Sequence, residues 1–119
     1  MSFYPKESDE NFSKSIASLL EFRYLKSPLN LFPYQEFVRR YMSPFTPYKH
    51  LVLFHSLGSG KSIAMLSVAI DHYEYCSRRA YIITRGDTAE ENFRLQISKY
   101  ESLTRKKVNK KMFTFYHYI

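Results

Sequence analysis

The 119-residue sequence has little of what disulfide-rich, secreted or membrane-spanning proteins require. Cys76 is its only cysteine, so no internal disulfide can form, which favours a reducing intracellular setting. It contains no apolar run of about 18 or more residues, so no membrane-spanning helix is predicted. Residues 1–10 lack the basic and then apolar order of a secretory signal. We therefore expect an intracellular chain of about one domain.

Tryptophan is absent, glycine occurs at three positions, and no acidic residue follows Glu101. The 11 tyrosines and 10 phenylalanines lie mostly in apolar patterns, which indicates core packing. The net charge of +7 is compatible with a polyanionic partner but does not identify one. The basic run at residues 105–111 is typical of a solvated loop, although five cations in seven residues would also attract a phosphate backbone.

Two of the three glycines fall in one segment, HLVLFHSLGSGKSIA, at residues 50–64. Residues 50–54 form a continuous apolar run, as in a buried parallel strand, and an apolar helical pattern follows Lys61. A glycine-containing loop that ends in Gly-Lys-Ser between a strand and a helix is typical of a phosphate-binding loop, the P-loop or Walker A motif. The general motif has glycine at the position of His55, which is a departure.

The residue types of this loop suit a nucleoside triphosphate. Gly58 and Gly60, on either side of Ser59, lack a Cβ, so the backbone can turn tightly and direct N–H groups at phosphate oxygens. The start of the following helix adds unpaired N–H groups and the positive end of its dipole. Lys61 can reach the β- and γ-phosphates, and the Ser62 hydroxyl can ligate Mg²⁺. A chance Gly-Ser turn in an α/β domain is the structural alternative.

The remaining pattern predicts helices and strands in alternation. The predicted helices span residues 9–24, 33–42, 61–76 and 88–100, and the predicted strands span 50–54, 80–84 and 112–118. This order gives two β-α-β crossovers, for which parallel strands are expected. The expected fold class is α/β, a short parallel sheet with flanking helices, preceded by a helical N-terminal segment.

Two further positions are candidates for binding. Gln35 lies on the helix ahead of the first predicted strand, and its amide can both donate to and accept from an adenine edge. A single glutamine on a helix is also commonly solvent-facing, so both interpretations stay open. Arg85 follows the strand at residues 80–84, at the end where open α/β sheets place ligands. Contact with a nucleic-acid phosphate and simple solvent exposure are equally compatible with its position.

The combination LFPYQEFVRRYMSP…HLVLFHSLGSGKS at residues 31–62 resembles the superfamily 2 helicase-like ATPases of large cytoplasmic DNA viruses. It is most similar to the group of the poxvirus nucleoside triphosphatase I and early transcription factor small subunit, in which His55 is a match. The resemblance implies an N-terminal helical extension at residues 1–30 and the first part of a RecA-like ATP-binding domain at residues 31–119.

The resemblance also implies roles for the site residues. Gln35 reads adenine, the segment Gly58-Ser59-Gly60-Lys61-Ser62 binds ATP and Mg²⁺, and residues 84–88, including Arg85 and Thr88, contact nucleic acid. Arg85 is a departure, because such ATPases often have proline just after this strand. The implied partners are nucleic acid, with DNA favoured over RNA, and the viral transcription machinery, in the virion or the host cytoplasm.

The resemblance also shows what the sequence lacks. Such ATPases need an Asp-Glu box on a later strand and a second RecA-like domain that supplies arginine fingers, but no acidic residue follows Glu101. The expectation is therefore an ATP-binding portion of a viral helicase, linked to transcription or genome handling, that is catalytically incomplete alone, with catalytic residues unassigned. The alternatives are a non-catalytic nucleic-acid or partner-binding module that retains the loop, and a P-loop nucleotide kinase.

Overall fold

The computed structural model describes residues 4–53 and 60–118. In chain order the elements are α1 (Phe12–Ser18), α2 (Leu20–Arg23), α3 (Pro33–Tyr41), α4 (Lys61–Cys76), β1 (Ala80–Thr84), α5 (Asp87–Thr104), a 3-10 turn (Lys110–Met112) and β2 (Phe113–His117). A short parallel sheet with flanking helices confirms the predicted α/β class and is compatible with part of a RecA-like domain. None of the helices in the described ranges is both long enough and apolar enough to cross a membrane.

Within residues 4–53 and 60–118 the sheet has two strands, and α5 connects them. β1 and β2 are parallel, with Ala80 opposite Phe113 and Thr84 opposite His117, which confirms the predicted β-α-β crossover in this part of the chain. Burial alternates along β1 as expected for a strand with one covered face, so that Tyr81 and Ile83 are exposed. The covered face of the sheet packs against α5.

The strand predicted at residues 50–54 is not confirmed. Residues 50–53 adopt no regular structure, and Phe54 lies outside the described residues. Between this segment and β1 or β2 the described residues show no ladder hydrogen bond, and the side chain of Val52 is 71% exposed. The apolar run was read as a buried strand, but a strand is defined by backbone pairing, which apolar residues alone do not supply.

The main core lies between α4, α5 and the sheet. Its buried members are Leu31, Ile63, Leu66, Ile70, Phe93, Ile97, Tyr100, Met112 and Phe113. The helix predicted from residue 61 to residue 76 is therefore confirmed, together with its buried apolar side. The helix α5 begins one residue earlier and ends four residues later than predicted. This core fixes the direction in which α4 points, and thus where its first turn lies.

A second, largely aromatic cluster joins the N-terminal segment to α3. The single helix predicted for residues 9–24 is wrong, because Leu19 is extended (φ −68°, ψ 140°) and separates α1 from α2. The break lets Ile16 and Phe22 enter the same cluster as Tyr41 and Tyr48, whose rings stack at 4.4 Å. Packing of these large rings therefore overrides the local helical pattern.

Candidate functional site

The side chain of Gln35 joins α3 to the beginning of α4. Its Nε2 donates a hydrogen bond to the Gly60 carbonyl at 3.1 Å, and its Oε1 accepts one from the Phe32 backbone N–H at 2.9 Å. Gln35 is only 2% exposed, so these bonds hold a buried amide that would otherwise be costly. The residue predicted to read adenine thus lies against the last residue before Lys61.

Gly60 is the N-cap of α4 and has a left-handed backbone, with φ 86° and ψ 25°. A Cβ built at this position would lie 2.4 Å from Gln35 Nε2 and 3.2 Å from the Tyr34 hydroxyl oxygen. Both the backbone angle and the close approach therefore require glycine here. Of the predicted loop, Gly58 and Ser59 lie outside the described residues.

Lys61 and Ser62 form the first turn of α4, and the first N–H groups of a helix have no partner within the helix itself. Both side chains are half-buried and line one end of a cavity of about 780 Å³. The rest of the cavity wall is mostly apolar and includes Leu51, Met65 and Val68. A triphosphate needs N–H groups and cations, so the start of α4, rather than the apolar cavity, fits its phosphates.

A buried ionic network holds α3 in place beside α4. Glu36 is fully buried and accepts hydrogen bonds from Arg39 (2.7 Å and 3.1 Å) and from Arg40 (2.6 Å). Arg39 also donates to Asp71 of α4 at 3.1 Å, which links the two helices. Arg40 donates to the backbone carbonyl of residue 21 in α2 and to those of residues 24 and 26, which follow α2. No role for this network was predicted from the sequence.

The network shifts the pKa values of its carboxylates in opposite directions. Burial alone would raise the pKa of Glu36, but hydrogen bonds from Arg39, Ser27 and Arg40 outweigh it and lower the pKa. Burial raises the pKa of Asp71 even though Arg39 opposes the change. Glu36 is therefore held as a carboxylate, and its charge keeps two arginines, and so the helix that carries Gln35, in one arrangement.

A second candidate region lies at the carboxyl ends of β1 and β2. Arg85 and Thr88 are both exposed there, beside a cavity of about 340 Å³ that Arg85, Gly86, Asp87, His117 and Tyr118 line. His117 Nε2 lies 2.9 Å from a Glu90 oxygen, and its Nδ1 lies 3.4 Å from an Asp87 oxygen. The first turn of α5 thus already carries two carboxylates, which occupy the positive end of its helix dipole. A phosphate that binds here would therefore be held by the charge of Arg85 and not by the N-terminus of α5.

The structure brings together Gln35, Gly60, Lys61 and Ser62, which were predicted from the sequence, whereas His117 was not predicted. The parallel pairing of β1 with β2 places His117 beside Thr84, 33 residues away in sequence. A prediction was possible in principle, because parallel strands end at the same edge of a sheet. Arg85 and Thr88 lie at this separate edge and not beside Gln35.

Fold and site together define an α/β arrangement in which a Gly-Lys-Ser sequence opens a buried helix next to a glutamine-bearing helix. No model of a known protein family matches the chain, and no solved structure matches it. Over 85 residues, 71% of the chain, it is 34% identical to Putative helicase 009L of Frog virus 3 (isolate Goorha). Over 55 residues, 46% of the chain, it is 38% identical to Putative ATP-dependent RNA helicase R350 of Acanthamoeba polyphaga mimivirus.

The chain covers 9% of the Frog virus 3 protein and 7% of the mimivirus protein, so it spans less than a tenth of either relative. The similarity to viral proteins named as helicases supports the broader resemblance predicted from the sequence. The narrower resemblance to the poxvirus group stays a prediction.

Proposed function

We propose that this chain is the nucleotide-binding portion of a viral helicase-like ATPase that acts on nucleic acid. The observation that carries the proposal is the hydrogen bond from Gln35 to the Gly60 carbonyl, which fixes a glutamine-bearing helix at the first turn of α4. The similarity to two viral proteins named as helicases supports the same class of function.

In this proposal the residues around the start of α4 hold Mg²⁺-ATP. The segment from Gly58 through Ser59 to Gly60 surrounds the phosphates, Lys61 neutralises the β- and γ-phosphates, and Ser62 provides one Mg²⁺ ligand. The left-handed Gly60 and the half-buried Lys61 and Ser62 side chains fit this role. Bound Mg²⁺-ATP would supply the energy of hydrolysis, whereas these residues bind and orient it.

Nucleic acid is the proposed substrate, and Arg85 and Thr88 are proposed to contact its backbone at the carboxyl edge of the sheet. Both side chains are exposed, and Arg85 is the cation that lines the cavity there. We propose DNA as the preferred strand and a link to viral transcription or genome handling, on the basis of the sequence resemblance. The mimivirus relative is named as an RNA helicase, so RNA belongs in every binding comparison.

To read adenine, the buried amide of Gln35 must turn toward the base from its bonds to Phe32 and Gly60, and Gln35→Ala should then narrow the preference for ATP over GTP. One neutral hydrogen-bonded contact contributes about 0.5–1.5 kcal/mol, so the ratio of the two affinities should fall roughly two- to tenfold. Since Gln35 also holds Gly60, the affinities for ATP and for GTP should both fall. The ratio of the two affinities isolates the contribution of the contact with the base. Titration calorimetry with each Mg²⁺-nucleotide measures the ratio.

The matched control for this experiment is Gln96→Ala, because Gln96 is a half-buried glutamine on α5. It should leave both affinities unchanged. An unaltered chain that binds ATP and GTP equally well would contradict the assignment of Gln35 to adenine, although phosphate binding at Lys61 would still stand.

A further inference from the structure

Positive charge is concentrated in the two turns that precede the strands. The turn from α4 to β1 and the turn from α5 to β2 together hold seven of the 18 lysines and arginines and no acidic residue. We call this set the basic turn surface: Arg78, Arg79, Arg105, Lys106, Lys107, Lys110 and Lys111. It accounts for most of the imbalance that gives the chain its net charge of +7.

The two turns are neighbours because β1 and β2 are parallel and begin together, with Ala80 opposite Phe113. Arg79 donates to the Lys111 carbonyl at 3.0 Å, which joins the two turns, and Asn109 donates to the hydroxyl of Tyr73 in α4 at 3.1 Å. The surface lies at the opposite end of the sheet from Arg85. The 16 residues of α4, about 24 Å of helix, lie between this surface and Lys61, and the cavity that Lys61 lines at one end extends to Arg78, Arg79 and Tyr81.

Most of this charge is not neutralised within the described residues. Lys106 pairs with Glu74 at 3.2 Å, and the carboxylate of Glu101 accepts a bond from the Val108 N–H. Elsewhere on this surface, four exposed side chains make no hydrogen bond or ion pair inside the described ranges, namely those of Arg105, Lys107, Lys110 and Lys111. The C-termini of α4 and α5 favour nearby cations, because each helix dipole places about half a negative charge there. Two such partial charges do not account for seven lysines and arginines.

Two exposed aromatic rings extend from the basic turn surface along the uncovered face of the sheet. Tyr81 is near the turns, and Tyr116 lies farther along the strands, opposite Ile83. They are 62% and 54% exposed, and their ring centroids are 6.0 Å apart with an interplanar angle of 28°. Arg79 approaches the hydroxyl of Thr114, which is the register partner of Tyr81. Cations that lead directly onto exposed, stackable rings are the combination that binds single-stranded nucleic acid, because the cations hold phosphates while the rings stack on bases.

We propose that the basic turn surface, together with Tyr81 and Tyr116, binds single-stranded nucleic acid. This contact is separate from the one proposed at Arg85, and it does not depend on nucleotide binding at Lys61. The cations provide affinity without reading sequence, and the two tyrosines favour unpaired bases over a duplex.

The test is fluorescence anisotropy with labelled single-stranded DNA and RNA of about 20 nucleotides, at salt concentrations from about 50 to 200 mM. The variant carries Lys107→Gln, Lys110→Gln and Lys111→Gln together. The matched control carries Lys6→Gln, Lys14→Gln and Lys26→Gln, which remove the same charge from exposed positions of the N-terminal segment. Each lost phosphate contact lowers the salt slope by about 0.7 for single strands, so the variant should lose about 2, and the control should lose little.

A second variant, Tyr81→Ala, separates stacking from charge. It should weaken single-strand binding by roughly 5- to 150-fold and leave the salt slope unchanged. Nucleic-acid binding is measured without nucleotide, so its result does not depend on the site at the start of α4. An unaltered chain that binds no nucleotide would refute the proposed function without affecting this result.

Three outcomes would overturn the proposal. Equal losses of affinity and of salt slope in the triple variant and in the N-terminal control would show that binding depends only on the net charge of the chain. Competition by polyglutamate as effective as competition by an unlabelled oligonucleotide would indicate an acidic protein partner. Unchanged affinity in both Tyr81→Ala and the triple variant would place the binding site elsewhere.

Discussion

Alanine at position 60 is expected to destabilise the chain by about 2–5 kcal/mol and to remove most nucleotide binding. Gly60 has φ 86°, and a left-handed backbone costs an L-residue about 1–2 kcal/mol. The added Cβ would lie 2.4 Å from Gln35 Nε2, so the buried amide must move and lose its bond to the Gly60 carbonyl. A buried polar group left without its partner costs about 1–3 kcal/mol more.

Urea unfolding of Gly60→Ala measures this loss of stability, and Gly86→Ala is the matched control. Gly86 has extended backbone angles (φ 179°), and a Cβ built there meets nothing within 4 Å. The control should therefore change the free energy of unfolding by less than about 0.5 kcal/mol. Similar losses in the two variants would contradict the described contact between Gly60 and Gln35.

The variant Glu36→Gln is expected to lower the free energy of unfolding by about 3 kcal/mol. Removal of one partner from a buried ion pair typically costs about 3–5 kcal/mol, because the other charge is left uncompensated. Here Arg39 and Arg40 would both lose their carboxylate partner. Each arginine is about a fifth exposed, and Arg39 keeps its ion pair with Asp71, so the lower end of that range applies. Glu91→Gln, at an exposed position of α5, is the control.

The same variant should also alter the pH dependence of stability. The pKa of Glu36 is lowered in the folded chain from its ordinary value of 4.5, since hydrogen bonds from arginine and serine outweigh the effect of burial. The unfolded chain then binds more protons as the pH falls below about 4.5, so the contribution of Glu36 is present above that pH and is lost as the pH falls through the lowered pKa. Asp71, with a raised pKa, acts in the opposite direction.

Urea unfolding at neutral pH and near pH 3.5 detects this change. Glu36→Gln should lose less stability between the two pH values than the unaltered chain does, because the group that titrates has been removed. A larger loss in the variant would show that Glu36 is not the carboxylate that arginine holds ionised in the folded chain.

The helices and strands that were predicted correctly are those with a strong local signal. Pro33 starts α3, the glycine-lysine-serine sequence precedes α4, and the β-branched and aromatic run at residues 80–84 forms β1. The break at Leu19 was not predictable from periodicity, because the rings that cause it come from Tyr41 and Tyr48, more than 20 residues away. Residues 50–53 were predicted to lie in a strand because the run is apolar, but they adopt no regular structure.

The residues of the candidate site could be named from the sequence, but their mutual positions could not be predicted. The loop motif points to Lys61 and Ser62, and the resemblance points to Gln35. The bond from Gln35 to Gly60 spans 25 residues, and the ion pair from Arg39 to Asp71 spans 32. Such contacts depend on how α3 packs against α4, and the helical pattern alone does not show that Arg39 lies in the buried network.

The most direct test of the central claim is titration calorimetry of Mg²⁺-ATP binding to the unaltered chain and to Lys61→Ala, with Lys99→Ala as the control for loss of an exposed lysine. A charged hydrogen bond contributes about 1.5–3 kcal/mol, so Lys61→Ala should bind roughly 10- to 150-fold more weakly. The control should bind as the unaltered chain does. Equal affinities of the unaltered chain and Lys61→Ala would contradict the assignment of a phosphate-binding loop.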